Sequence, residues 1–143
     1  MENMLYWLWL SLSVTPGSRT FAKLYAHTPD PKGIFQLDGE TVTRLCAGER
    51  SDAQRILRHE LGEAERLLAF CERKGIGLLP YADENYPPLL RNIENPPVLL
   101  YYRGTLPSFA ASFPCAVVGT RKLTEYGRKS AFYISLDLLA RVR

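Results

Sequence analysis

Cysteine and histidine are scarce in this chain, and their spacing argues against two kinds of site. The sequence contains three cysteines and two histidines in 143 residues. Cys46, Cys71 and Cys115 form no C-x-x-C pair, and His27 and His59 lack the spacing of metal ligands. An odd number of isolated thiols also provides no disulfide framework. We therefore expect neither a metal site nor disulfides, and a reducing cytoplasm is the simplest location.

A hydrophobic run long enough to cross a bilayer is also missing. The best candidate, Leu5 to Val14, is too short for a membrane span. It follows Glu2 rather than a basic residue, and no small-x-small cleavage site comes after it. We interpret this run as a core helix that ends at Pro16-Gly17, and we expect no membrane partner.

The common nucleotide-binding and hydrolase signatures are absent as well. No second glycine lies between Gly119 and Gly127, so the turn there is not G-x-G-x-x-G, and it lacks the G-K-[ST] of a P-loop. Ser18, Ser51 and Ser130 stand outside any G-x-S-x-G elbow. The sequence therefore predicts no bound cofactor.

What the sequence does have is an uneven distribution of charge. From Pro114 onward there are six basic and two acidic residues, which gives +4. The first 113 residues carry 12 basic and 13 acidic residues, which gives −1, and the whole chain is +3. Such an asymmetry favours a polyanionic partner for the second part. A solvated helix face produces the same pattern and stays open as the alternative.

Hydrophobic periodicity divides the chain near Gly75 into a helical domain, 1–75, and a mixed segment, 76–143. The first part predicts helices throughout, including a short helix that Asp38 caps and one long helix from Asp52 to Lys74. The long helix has a capping box at Ser51-x-x-Gln54, and Gly75 is expected to end it. It carries one apolar stripe, formed by Leu57, Leu61, Ala64, Leu68 and Cys71. The second part alternates short apolar segments with helix starts near Tyr86 and Glu125, which indicates an α/β layer. The predicted strands are 76–79, 98–102 and 115–118.

The most informative stretch runs from Cys115 to Gly127 and reads C-A-V-V-G-T-R-K-L-T-E-Y-G. It predicts a strand, a tight turn and a helix that begins after Thr124. Unpaired N–H groups and the helix dipole favour an anion at such a helix start, and Arg121 and Lys122 add two cations. The pattern therefore predicts a phosphate ligand, although a strand, turn and helix of this kind is common in α/β proteins.

A second turn, Pro16-Gly17-Ser18-Arg19-Thr20, lies between two short predicted helices. It resembles a helix-hairpin-helix turn, in which backbone amides at the helix start contact DNA phosphate. An ordinary connection between helices explains the same residues, and we favour that interpretation.

Four motifs follow one another over about 50 residues in the second half of the chain. They are Leu78-Leu79-Pro80-Tyr81, Tyr86-Pro87-x-Leu89-Leu90, Pro96-Pro97-x-Leu99-Leu100-Tyr101-x-x-Gly104 and Val117-Val118-Gly119-Thr120-Arg121-x-x-Thr124-x-Tyr126-Gly127. Their order resembles the bacterial DNA-processing protein A family (DprA/Smf). The helical first half, with Trp7-Leu8 and Cys71-Glu72-x-Lys74-Gly75-Ile76, is similar to that family's helical domain of the sterile-alpha-motif type. The resemblance covers essentially the whole chain.

The resemblance implies a fold and a function. The fold would be α plus α/β: a helical domain followed by the start of an extended Rossmann-like domain. Proteins of this family bind single-stranded DNA during natural transformation, protect it and help to load the RecA recombinase, and they are not enzymes. The nucleic-acid site implied here, with the adjacent cation of the turn, is Gly119, Thr120, Arg121, Lys122, Tyr126 and Gly127.

The sequence departs from the family in extent. The later strands and the second glycine-rich loop of the family are not in these 143 residues, so the chain is interpreted as an N-terminal fragment. Homodimerisation and RecA contact are therefore expected only of a longer protein.

Two other functions stay open at this point. In the first, the Gly119 turn holds a nucleotide phosphate in a Rossmann-type hydrolase, and a further glycine-rich loop with a catalytic carboxylate would favour it. In the second, the helices form an interaction module and the last segment is vestigial. A basic, aromatic-lined continuation would favour DNA instead.

Overall fold

The computed structural model describes residues 2–109 and 115–141. Within these ranges the chain is mostly helical, with one two-stranded antiparallel sheet, so the fold is α+β. The elements are α1 (Glu2–Ser13), α2 (Thr20–His27), α3 (Pro31–Phe35), α4 (Gly39–Leu45), α5 (Arg50–Leu57), α6 (Gly62–Lys74), β1 (Gly77–Pro80), α7 (Pro88–Arg91), β2 (Leu99–Tyr102) and α8 (Glu125–Arg141). Contacts divide the chain into two compact units, 1–112 and 113–143.

Helix α1 forms the centre of the first unit. Its residues from Trp7 to Leu10 are all buried, and it packs against α3, α5, α6 and β2. A helix that is apolar on all sides is stable only when neighbours surround it, and each fully buried large side chain contributes about 1.5–3 kcal/mol. The predicted core helix is therefore confirmed.

Local capping residues set several helix ends where the sequence predicted them. Asp38 accepts a hydrogen bond from the Thr41 N–H at 2.9 Å and so caps α4. Gly75 adopts a left-handed conformation with φ of +61° and ends α6. Both predictions are confirmed because the signals depend only on residues close in sequence.

The long helix predicted from Asp52 to Lys74 is wrong, since the chain breaks into α5 and α6. His59, between them, has a φ of +52°, which lies in the left-handed region and cannot occur within a right-handed α-helix. The core explains the break: Ile56 is buried in α5 whereas Leu57, a member of the predicted stripe, is exposed. The proposed capping box also fails, because α5 begins at Arg50 with no side-chain cap.

Strands β1 and β2 confirm the segments predicted at 76–79 and 98–102. They pair antiparallel, with Gly77 opposite Tyr102 and Pro80 opposite Leu99. Val98 and Leu99 join the same core cluster as α1. The sheet is therefore part of the helical unit, and the independent folding of residues 1–75 stays a prediction.

The second unit contains α8, which begins at Glu125 as predicted. The strand predicted at 115–118 is wrong: these residues form no strand, and the Val118 side chain is 89% exposed. A strand needs a partner for its backbone N–H and C=O groups, and no described segment pairs with this one. Residues 110–114 lie outside the described residues.

Candidate nucleic-acid interface

The six predicted site residues lie together in the second unit, in the loop before α8 and in its first turn. Those from Gly119 to Lys122 are exposed, and the Tyr126 side chain is 82% exposed. Gly127, in the first turn of α8, is half-buried. The loop therefore presents its polar groups and one aromatic ring directly to solvent.

Thr124 caps α8 with its side chain. Its Oγ1 accepts a hydrogen bond from the Gly127 N–H at 3.1 Å, and its carbonyl accepts one from the Arg128 N–H at 3.0 Å. A Cβ on residue 127 would lie only 3.2 Å from Thr124 Oγ1. Gly127 thus has a structural role that the sequence did not reveal: it leaves room for the cap that fixes the helix start.

The loop itself is held by Thr120. Its hydroxyl donates a hydrogen bond to the Lys122 carbonyl at 2.8 Å. This bond closes the turn locally and leaves the two cations, Arg121 and Lys122, on an exposed backbone. The side chain of Thr120 therefore organises the turn.

Some basic residues of this unit are paired with a carboxylate and others are not. Arg128 binds Glu125 through two nitrogens, Nη2 at 2.7 Å and Nε at 3.1 Å, and Lys129 Nζ lies 3.7 Å from the same carboxylate. Arg128 and Lys129 together hold the pKa of Glu125 below its usual range. Arg121 and Lys122, by contrast, have no carboxylate within 4 Å among the described residues. These two cations are free to contact an anion.

The turn that resembles a helix-hairpin-helix motif is held from inside the protein. The fully buried Asp52 accepts hydrogen bonds from the Thr15 N–H and hydroxyl at 3.0 and 2.6 Å and from the Ser18 hydroxyl at 2.8 Å. Arg55 pairs with the same carboxylate and donates to the Ser13 carbonyl. Burial alone would raise the pKa of Asp52, but these hydrogen bonds outweigh it and lower the pKa. The geometry favours an ordinary helix connection.

A cavity of about 230 Å³ lies beside this turn, between residues 11–21 and the segment 95–101. Its lining is mainly apolar, with prolines on both sides. Tyr101 borders it, and burial raises the pKa of that phenol. Apart from the apolar character of these segments, no sequence pattern indicates this cavity.

Within 2–109 and 115–141, no group of three or more His, Cys, Asp or Glu side chains is placed to hold a metal ion. None of the helices in those ranges combines the length and the apolar character that a membrane span requires.

Comparison with known proteins identifies the second half of the chain. The sequence model of the family described as DNA recombination-mediator protein A matches residues 77–142. A curated relative, the DNA processing protein DprA of Bacillus subtilis (strain 168), is 29% identical over 73 residues. That match covers 51% of this chain and 25% of the relative, so the matched stretch spans about a quarter of that protein. No solved structure gives a significant match.

The matched segment contains all four motifs of the second half, from Leu78 to Gly127, whereas the similarity expected for the helical first half lies outside the residues that the family model matches. Residues 77–142 therefore match the sequence model of the DNA recombination-mediator protein A family, and the predicted resemblance is confirmed for this segment. The match begins at β1, so it includes the sheet, the loop before α8 and α8 itself.

Proposed function

We propose that this chain binds single-stranded DNA through the loop 119–122 and the first turn of α8, and that it acts in DNA processing during recombination and natural transformation. One observation carries the proposal: two cations without carboxylate partners, Arg121 and Lys122, precede a capped helix start within the family segment. Backbone N–H groups and cations at a helix start are a site for phosphate.

The exposed ring of Tyr126 favours single strands over duplex DNA. The ring lies one residue beyond the first residue of α8, next to the cationic loop. An aromatic side chain stacks on a base only when the base is free of its own neighbours, as in a single strand. Phosphate contacts and stacking carry little sequence information, so we expect weak sequence preference.

Several finer features come from the family resemblance and belong to the same proposal. The segment 76–143 would be the start of an extended Rossmann-like domain, and residues 1–75 a helical domain of the sterile-alpha-motif type. The protein would work in the cytoplasm as a binding protein rather than an enzyme. It would help to load the RecA recombinase and form a homodimer in a longer protein.

A competition experiment tests the proposal against a nucleotide site. A fluorescently labelled oligothymidylate is bound to the 143-residue chain at low salt and challenged with unlabelled single strands, duplex DNA or ATP. We expect single strands to compete well, duplex DNA weakly and ATP only through its general ionic effect. Tight competition by ATP, with hydrolysis, would instead favour the nucleotide-binding enzyme.

A further inference from the structure

We propose that the nucleic-acid surface continues from the loop along the outer face of α8, where Lys129 supplies a further phosphate contact and Tyr133 a second stacking ring. The inference rests on the proposed function, since it extends the same surface. It predicts an extended binding track, formed by the loop 119–122 together with Tyr126, Lys129 and Tyr133, instead of a single phosphate site.

Helical geometry places the three side chains in one row. Tyr126 and Tyr133 are seven residues apart, about two turns, and Lys129 lies between them at i+3 from Tyr126. The exposed fraction is 66% for Tyr133, and the Lys129 side chain is also largely exposed. The half-buried Ala131 and Ser135 lie on the opposite side of the helix, and the half-buried Ser130 adjoins the row. All three side chains of the row are therefore open to solvent.

Tyr133 is held in position by its neighbour. Its ring meets the Phe132 ring edge to face, with centroids 5.7 Å apart and planes at 73°. Such pairs stabilise one arrangement of the two rings. A ring that is already ordered loses little side-chain entropy when a base stacks on its open face.

The charge of this face indicates which partner covers it. Arg128 and Lys129 outnumber Glu125 on these turns, and the contact of Lys129 with Glu125 at 3.7 Å is exposed to solvent and weak enough for a phosphate to replace. The buried centres of protein interfaces are depleted in charged residues. Aromatic rings interspersed with cations are instead typical of surfaces that follow a single strand.

The spacing of the rings sets the expected length of the ligand. Seven residues of helix span roughly 10.5 Å, which corresponds to about three nucleotides at the 3.4 Å rise of a stacked strand. The two tyrosines would therefore hold bases that are not adjacent. Oligonucleotides of about two nucleotides should reach only the loop, and those of about six should cover both rings.

The test compares four variants of the 143-residue chain, Tyr133→Leu, Tyr133→Phe, Phe70→Leu and Arg121→Ala, by fluorescence anisotropy with oligothymidylates of both lengths at low salt. We expect Tyr133→Leu to weaken binding of the longer oligonucleotide by about 5- to 100-fold and to leave the shorter one unchanged. Tyr133→Phe should retain affinity, because the ring remains. The matched control is Phe70→Leu, which removes an exposed ring that Arg73 approaches at 5.8 Å in α6, outside the proposed surface; it should have no effect.

The outcomes separate this inference from the proposed function. If Tyr133→Leu binds like the unsubstituted chain while Arg121→Ala binds more weakly, the track is wrong and the loop site stands. If Tyr133→Leu alters only self-association in sedimentation experiments, the face is an interface between copies and the inference is overturned. If the unsubstituted chain binds no single-stranded DNA, both proposals fail together.

Discussion

The buried carboxylate of Asp52 accepts hydrogen bonds from both the backbone N–H and the hydroxyl of Thr15, at 3.0 and 2.6 Å. These residues are 37 positions apart in sequence. The contact fixes the turn between α1 and α2 to the start of α5, and Ser18 adds a third donor. One side chain therefore links α5 to the turn that connects α1 and α2.

Replacing Asp52 should destabilise the first unit according to how many acceptors are lost. Asp52→Ala removes every acceptor and leaves Arg55 without its carboxylate partner, so we expect the free energy of unfolding to fall by about 3 kcal/mol. Asp52→Asn can still accept from Thr15 and should cost about 1 kcal/mol. Urea unfolding measures both, with Glu72→Ala, an exposed site in α6, as the control. Equal costs for Asp52→Ala and the control would contradict this role.

The same carboxylate should make stability depend on acid pH. Its pKa is lowered in the folded protein from the ordinary value of 3.8, because hydrogen bonds outweigh the effect of burial. A lowered folded pKa stabilises the protein above pH 3.8, and that stabilisation is lost as the pH falls below this value. The free energy of unfolding should therefore decrease more steeply below pH 3.8 in the unsubstituted chain than in Asp52→Asn. Parallel profiles would show that Asp52 does not titrate in this way.

Gly77 should tolerate no side chain, because the Tyr102 ring from the paired strand lies directly over it. A Cβ at this position would overlap three ring atoms. We expect Gly77→Ala to lower the free energy of unfolding by about 1–3 kcal/mol. Gly62→Ala is the control, since the nearest atom to a Cβ there is Arg66 Nη1 at 3.6 Å. In a Tyr102→Ala background the cost of Gly77→Ala should largely disappear; a full cost there would mean that the backbone, not the ring, is responsible.

Residues 1–75 should fold by themselves, but less stably than residues 1–112. The helices carry their own caps and apolar faces, whereas Val98 and Leu99 of the sheet segment complete the core. Thermal unfolding followed by circular dichroism should show a cooperative transition for both pieces, at a lower temperature for the shorter. A shorter piece with no cooperative transition would show that Gly75 is not a domain boundary.

The successes and failures of the sequence predictions have a common physical cause. Helix ends at Asp38 and Gly75 could be predicted because each signal acts within one turn of the chain. The break at His59 could not, since it depends on which face of α5 meets the core. The failed strand around Val118 depends on a partner segment, and an apolar run alone does not specify one.

The candidate site could be predicted as a group because its residues are nearly consecutive in sequence. Its electrostatics were only partly foreseen. The pairing of Glu125 with Arg128 follows a familiar i, i+3 spacing. Arg128 therefore has a carboxylate partner, whereas Arg121 has none among the described residues. The contact of Gly127 with the Thr124 cap needed coordinates, since it depends on a distance of 3.2 Å.

The central claim is that Arg121 binds a phosphate of single-stranded DNA, and a salt titration of Arg121→Ala tests it most directly. Fluorescence anisotropy with a labelled oligothymidylate should show binding weakened by about 1–3 kcal/mol. The slope of log affinity against log salt should fall by about 0.7, the value for one phosphate on a single strand. Arg121→Lys should restore only part of the loss, because the bidentate geometry is gone. Arg103→Ala removes an exposed cation outside the loop 119–122 and α8 and should leave the slope unchanged. An Arg121→Ala chain with the affinity and slope of the unsubstituted protein would remove Arg121 from the site and contradict the account.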